Sequence, residues 1–339
     1  MTGNVGAIAI GRNEGERLGA CLRSLLEHAD SVVYVDSGST DGSRDLARRL
    51  GVAVVELDLS IPFTAARARN EGFAALRELM PELEYVQFVD GDCELRSGWM
   101  PAALEAMQSD DRLAAVCGRR RERFPKASRY NRLTDMEWDT PIGPAMSCGG
   151  DVLMRSAALA QVGGYDGSVI AGEEPELCFR LRARGWKIRR IDQEMTWHDA
   201  ALTSFWPWWK RSVRAGHAAA EGAWMHGRSA ERFNVRRVLR PLFWGLAFPV
   251  AALAMSWFMY GLSIGLALLV YALQWLRIRQ RARNQGKSGS AASLLASFTL
   301  IGQFAMVIGI ATFVLNTLRG RKTRIIEYKG AETGAHANG

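Results

Sequence analysis

Two acids one residue apart, Asp90 and Asp92, close the strand-like run at residues 84–89 (EYVQFV), with Gly91 between them. Like charges this close are unfavourable unless a cation or a hydrogen-bond donor neutralises them. Hard divalent ions such as Mg2+ or Mn2+ take one or two carboxylates together with substrate phosphate oxygens. Taken alone, Asp-Gly-Asp is also an ordinary turn after a strand. A second acid, Asp36, follows the β-branched run at residues 31–35 and opens the turn DSGSTDGS. A carboxylate placed so can accept hydrogen bonds from a nucleotide's ribose hydroxyls or base N–H, while Asp41 or Ser43 suits a helix N-cap. In GEEPELCFRLRARG, residues 172–185, Pro175 fits a first helical turn and Glu173 and Glu174 favour its positive end. A carboxylate there that faces a cleft is a candidate general base toward a hydroxyl. His198 follows in EMTWHDA, and a histidine joined to Asp92 suits Mn2+.

The elements that would position these groups alternate along the chain. Strand-like runs at 5–10, 31–35, 52–57, 84–89, 114–119 and 186–191 are interleaved with helical spacing, as at 44–50, 63–80 and 99–108. Such alternation argues for an α/β fold with a doubly wound, mostly parallel sheet. Ligands of such sheets sit outside the carboxyl ends of the strands, where the turns at 36–41 and 90–92 lie. The basic segment 119–132 reads as a loop, and Gly185 as a helix C-cap.

Composition divides the chain in two. Of 339 residues, 48% are hydrophobic and 23% charged, yet residues 241–276 and 288–318 carry no charge at all. The net charge of +8 gathers beside those stretches, with Arg236, Arg237 and Arg240 before the first and Arg277, Arg279, Arg281 and Arg283 after it. That placement points to a membrane surface and not to nucleic acid. Trp206, Trp208 and Trp209 beside Lys210, Arg211 and Arg214 suit a helix at headgroup level. The expected organisation is a catalytic domain over 1–235, membrane-associated helices over 236–320 and a basic to polar tail over 321–339. A hairpin at about 242–276 would keep both its ends cytoplasmic, with a third apolar helix at about 294–318; three full spans are the rival arrangement. The start of the chain has no signal-peptide pattern, so the catalytic domain is expected on the cytoplasmic face of the inner membrane. Five scattered cysteines without a CxxC pair fit a reducing compartment and offer no metal–thiolate motif.

The order of the motifs resembles the inverting family 2 glycosyltransferases of GT-A fold, in their membrane-anchored bacterial form. Asp36 to Ser43, Arg69-Asn70-Glu71-Gly72, Asp90-Gly91-Asp92, Gly149-Gly150, Gly172-Glu173-Glu174 and His198 follow one another as that family's motifs do, over roughly residues 5–200. The resemblance implies a nucleotide-diphosphate sugar as donor, Mn2+ or Mg2+ as cofactor, and a saccharide or lipid-linked hydroxyl or phosphate as acceptor, in cell-surface glycan or polysaccharide synthesis. It implies that Asp36 holds the nucleotide's base or ribose and that Arg67 or Asn70 assists. Asp92 would bind the metal, Asp90 the ribose or the metal, His198 the metal, and the Gly149-Gly150 turn would line the donor site. Glu174 would be the base, with Glu173 the alternative, because the family more often carries Asp at the positions of Glu174 and Glu176. A sugar-nucleotide nucleotidyltransferase would need a Gly-rich basic loop after the first strand, where this chain has GRNEGERL. A non-catalytic nucleotide-sugar-binding membrane protein would not need the intact set of Asp90, Asp92, Glu174 and His198.

Overall fold

Apolar runs with both faces covered form the centre of the sheet. The structure, a computed structural model, describes residues 4–320, so the expected tail at 321–339 lies outside the described residues. Strand β1 (Val5–Gly11) is buried along nearly its whole length, as parallel strands covered by helices on both sides must be. It is followed by α1 (Glu16–Leu26), β2 (Ser31–Asp36), α2 (Ser43–Arg49), β3 (Ala53–Glu56), α3 (Ala65–Leu79) and β4 (Tyr85–Asp90). Then come β5 (Cys93–Leu95), α4 (Trp99–Gln108), β6 (Leu113–Glu122), α5 (Arg129–Glu137), β7 (Gly143–Pro144), β8 (Val152–Arg155), α6 (Ser156–Gln161), α7 (Glu173–Ala183) and β9 (Lys187–His198). The sheet runs β3-β2-β1-β4-β8-β6-β9-β5, with β7 paired to β9. β3, β2, β1 and β4 are mutually parallel, β8 is antiparallel to both its neighbours, and β6 and β9 are parallel.

The chain leaves β1 toward β2 and β3 and returns on the other side of β1 as β4. That reversal is a topological switch point, where α/β sheets open a crevice at their carboxyl ends. The register places Asp36 opposite Gly11 and Asp90 opposite Ile10, so the two acids flank the end of β1. Helices close both faces. Leu18, Cys21, Leu22 and Leu25 of α1 pack with Trp99 and Met107 of α4 on one side, and Phe73 and Leu76 of α3 with Leu177 and Leu181 of α7 on the other. The spacing in α1 is that of one helical face.

Two sequence expectations are corrected here. The segment 119–132 is not one loop, because β6 continues to Glu122 and α5 begins at Arg129. The last strand of the sheet does not stop near residue 191 but runs twelve residues to His198. In both cases charged side chains hide the strand pattern. Arg121 pairs with Glu194 at 2.8 Å across β6 and β9, and the register slips between Cys117 and Arg119 and between Arg119 and Arg120. At the slip a Cβ on Gly118 would lie 2.5 Å from the Gln193 carbonyl oxygen, so the close approach requires glycine.

The remaining described residues form helices: α8 (Phe205–His226), α9 (Val235–Leu242), a π-helical turn (Phe243–Ala247), α10 (Phe248–Ser256), α11 (Leu262–Asn284) and α12 (Gly289–Leu318). The turn between α10 and α11 falls where the hairpin was expected, and α12 starts five residues earlier than the expected 294. Three helical stretches, Val235–Ser256, Leu262–Asn284 and Gly289–Leu318, are long and apolar enough to cross a membrane, at 22, 23 and 30 residues. The chain divides into two compact units, one made of residues to Pro125 with Thr134–Ala200, the other of Lys126–Leu133 with residues from Ala201.

Candidate functional site

At the end of β2, Asp36 is 1% exposed and spends its carboxylate on its own turn. Oδ1 accepts from the Tyr34 hydroxyl at 2.9 Å, and Oδ2 accepts from the amides of Gly38 and Ser39 at 2.9 and 2.8 Å. Gly38 adopts φ +87°, the left-handed conformation that lets the chain wrap around the acid. The turn is stitched to the loop after β1, with Asn13 accepting from the Thr40 amide at 2.7 Å and Asp41 from the Gly15 amide at 3.0 Å. Burial works against the charge on Asp41, but the hydrogen bonds from Ser43 and Gly15 outweigh it and hold the carboxyl below its usual range.

Beyond β4 lies a buried acidic centre. Asp90 Oδ1 accepts from Arg69 at 2.8 Å, and the same guanidinium donates to Glu173 Oε1 at 2.7 Å. Asp151, wholly buried, accepts from the Asp90 amide at 3.2 Å and the Thr196 hydroxyl at 2.8 Å and pairs with Arg120 at 2.9 Å. Arg120 lies over the Trp138 ring, 5.3 Å from its centroid, and Trp138 stacks on His198 at 4.7 Å. His198 Nε2 stands 3.2 Å from Asp92 Oδ2. Burial raises the Asp90 carboxyl above its ordinary range; Arg69 opposes this while Asp151 and Asp92 add to it. For Asp151 burial is again the largest influence, yet Arg120, His198 and Thr196 together bring it below its ordinary range.

Arg69 reaches the centre because it shares the sheet-facing stripe of α3 with Gly72, Phe73 and Leu76. Its neighbours on the helix do not. Arg67 bonds Glu71 at 2.7 Å and the carbonyls of Asp58 and Ile61 at 2.8 Å, pinning the loop before α3. The Asn70 side chain donates to the Tyr165 carbonyl at 2.7 Å and accepts from the Tyr165 amide at 2.8 Å. The Gly149-Gly150 turn presses backbone against the two arginines. A Cβ on Gly150 would fall 2.8 Å from an Arg69 nitrogen and 2.9 Å from Asp90 Oδ2, and one on Gly149 would fall 3.0 Å from an Arg120 nitrogen.

Glu174, in the first turn of α7, is 2% exposed. Its Oε1 accepts from the Cys148 amide at 2.7 Å and the Cys178 thiol at 2.8 Å, whereas Oε2 is buried with no hydrogen-bond partner. Burial raises its pKa, and the Cys178 thiol and the Cys148 and Gly149 amides only partly offset that. A carboxylate so placed has a vacant lone pair and a raised proton affinity, the two properties of a general base.

The donor set tests well against a divalent cation. Asp90 and Glu173 share Arg69, Asp151 pairs with Arg120 and Asp92 stands beside His198, so carboxylates outnumber the guanidiniums that pair with them. His198 Nδ1 is buried without a hydrogen-bond partner. Asp92, His198 and also Cys93 offer donor atoms that lie within 4.8 Å of one another. Asp90, expected to hold the ribose or the metal, has its Oδ1 paired with Arg69. Arg120, Asp151 and Cys93 were not singled out from the sequence, and Arg69 stood in the Arg69-Asn70-Glu71-Gly72 motif without a role. Arg69 was findable from its helical spacing to Phe73 and Leu76, and Asp151 from its place after the two glycines. Arg120, in a run of arginines, gave no local signal.

The comparisons agree with this architecture. The profile of the Glycosyl transferase family 2 family matches residues 8–155. Glycosyltransferase AglE of Haloferax volcanii is 23% identical over 245 residues, 68% of this chain and 76% of that protein. Succinoglycan biosynthesis protein ExoA of Rhizobium meliloti is 28% identical over 190 residues, 52% of this chain and 56% of that protein. The pre-mycofactocin glycosyltransferase of Mycobacterium tuberculosis is 29% identical over 172 residues, 48% of this chain but 35% of that protein. Among solved structures, the mannosyltransferase PcManGT from Pyrobaculum calidifontis, in complex with GDP-Man and Mn2+, superposes with a TM-score of 0.57 at 19% identity, covering 92% of this chain and 87% of that one. That likeness establishes the GT-A sheet. The family 2 profile over residues 8–155, the named glycosyltransferases among its relatives and the GT-A fold together support a family 2 glycosyltransferase.

Proposed function

We propose that the chain transfers a sugar, with inversion, from a nucleotide-diphosphate donor to a lipid-linked hydroxyl or phosphate at the cytoplasmic face of the inner membrane. Residues 1–235 would be the catalytic part and 236–320 the membrane-associated part. The observation that carries this reading is the close pair Asp92–His198 at the carboxyl end of β4, beside Asp90, which Arg69 joins to Glu173 in the first turn of α7, the turn that also carries Glu174.

The acceptor oxygen attacks the anomeric carbon on the face opposite the diphosphate. The new C–O bond forms as the old one breaks, the electron pair leaves with the nucleoside diphosphate, and the acceptor proton passes to Glu174 Oε2. Glu174 is held for this by the Cys148 amide and the Cys178 thiol, while Glu173 is engaged by Arg69. A divalent cation held by Asp92 and His198 would supply positive charge to the departing diphosphate. The Asp36 turn and the Gly149-Gly150 backbone would border the nucleotide, with Arg67 and Asn70 supporting the walls. The surplus of Arg over acids beside the apolar stretches supports cytoplasmic flanks, and the apolar helices themselves support an acceptor with a lipid tail.

The test is transfer from a panel of nucleotide sugars to a membrane-lipid extract with Mn2+, with the product's anomeric configuration read by NMR. An inverted product, absent with Glu174→Gln, is expected; a retained configuration would refute single displacement.

A further inference from the structure

Although no CxxC motif exists, the fold brings the Cys93 thiol beside Asp92 and His198. We propose that the cation site carries a sulfur donor, Cys93, beside Asp92 and His198, so that it prefers borderline and soft ions to Mg2+. The inference rests on the reading above that Asp92 and His198 hold a divalent cation.

The arrangement follows from strand pairing. β5 is antiparallel to β9 and sets Cys93 directly opposite His198, so their side chains share one face of the sheet. Asp92 precedes Cys93 and turns back over it, with Cys93 Sγ 3.6 Å from Asp92 Oδ1 and His198 Nε2 3.2 Å from Asp92 Oδ2. The three residues are 1%, 6% and 7% exposed, so water competes little for a bound ion. His198 also holds a buried Nδ1 with no hydrogen-bond partner, and its ring is fixed by stacking on Trp138. A set of one oxygen, one nitrogen and one sulfur donor is unlike the all-oxygen shell that Mg2+ demands. It suits Zn2+, Co2+ or Cd2+, for which thiolate and imidazole are good ligands. On binding, the Cys93 thiol loses its proton to solvent as the sulfur–metal bond forms.

The experiment uses the full chain in detergent, stripped with chelator and titrated with Cd2+ and, separately, Co2+. Saturable thiolate-to-metal charge-transfer absorption is expected, resistant to excess Mg2+, absent in Cys93→Ser and retained in Cys21→Ser. Cd2+ affinity should fall by more than about tenfold in Cys93→Ser, since even outer-shell changes reach that size. Cadmium NMR of the wild-type chain decides the point without any variant, because sulfur in the shell moves the resonance far from that of an oxygen and nitrogen site. Cd2+ binding without sulfur in the shell, or absorption that persists in Cys93→Ser, would overturn the proposal while Mn2+ binding by the same chain leaves the cation site standing. Failure of every divalent ion to bind would overturn both.

Discussion

Glu174 and Glu173 are adjacent in sequence and opposite in circumstance. Arg69 holds Glu173 at 2.7 Å, whereas Glu174 is buried with one oxygen unpartnered. Burial raises the Glu174 pKa, and a base works deprotonated, so turnover should fall as pH drops through an inflection above the usual carboxylate range. In Glu174→Gln turnover should fall by about 10²–10⁴-fold and that acidic limb should vanish, with donor affinity nearly unchanged; a pH–rate profile of both proteins checks this, and undiminished turnover would move the role to Glu173. Arg69 makes a separate prediction. Arg69→Ala leaves Asp90 and Glu173 without their shared cation, which should lower stability by about 3–5 kcal/mol, read by denaturant unfolding in detergent. The acids at this scale were legible in the sequence because each ends a strand or starts a helix. Their partners were not: the RN segment suggested Arg67 and Asn70, but only the helical phase of α3 shows that Arg69 faces the sheet.

Strand order and helix order were largely readable, since the alternation of apolar runs and helical spacing survives to residue 108. The sheet's second half was harder. β6 and β9 pair through register shifts, and both run on past the strand-like stretches at 114–119 and 186–191 into charged stretches, Arg120 to Glu122 and Asp192 to Glu194, that hide the strand pattern. That half delivers His198, and with it the geometry of the site. Among the C-terminal helices, α8 and α12 meet through glycines. A Cβ on Gly309 would collide with the Val213 carbonyl, and one on Gly216 with the Met306 backbone. Small residues at such crossings let two helix backbones approach closely. Gly309→Leu should therefore cost about 1–3 kcal/mol or more through overpacking. Thermal unfolding monitored by circular dichroism tests it, and an unchanged midpoint would show that the two helices do not pack this way.

At the scale of the whole molecule, composition told more than pattern. Two uncharged stretches announce helices apolar enough to cross a membrane, but their number depends on where helices end, which the uniform apolar sequence does not mark. The structure has three helical stretches of sufficient length, and they expose apolar side chains, with Leu253, Leu262, Leu268 and Leu318 all more than 60% exposed. The chain should stay with the membrane through high-salt and alkaline washes and dissolve only in detergent. Release by salt alone would make the association electrostatic and peripheral. Aromatic Trp206 and Trp224, exposed at 66% and 73% on α8, are expected to change their fluorescence when liposomes are added.

The most direct test is donor binding with and without a cation. Calorimetric titration of a chelator-treated chain with a panel of UDP- and GDP-sugars, repeated after adding Mn2+, reads it in one experiment. Binding of at least one sugar nucleotide that appears with Mn2+, is reversed by chelator and is lost in Asp92→Ala is the predicted result. Equal affinity in the presence of chelator, or no binding of any sugar nucleotide with the cation present, would contradict it.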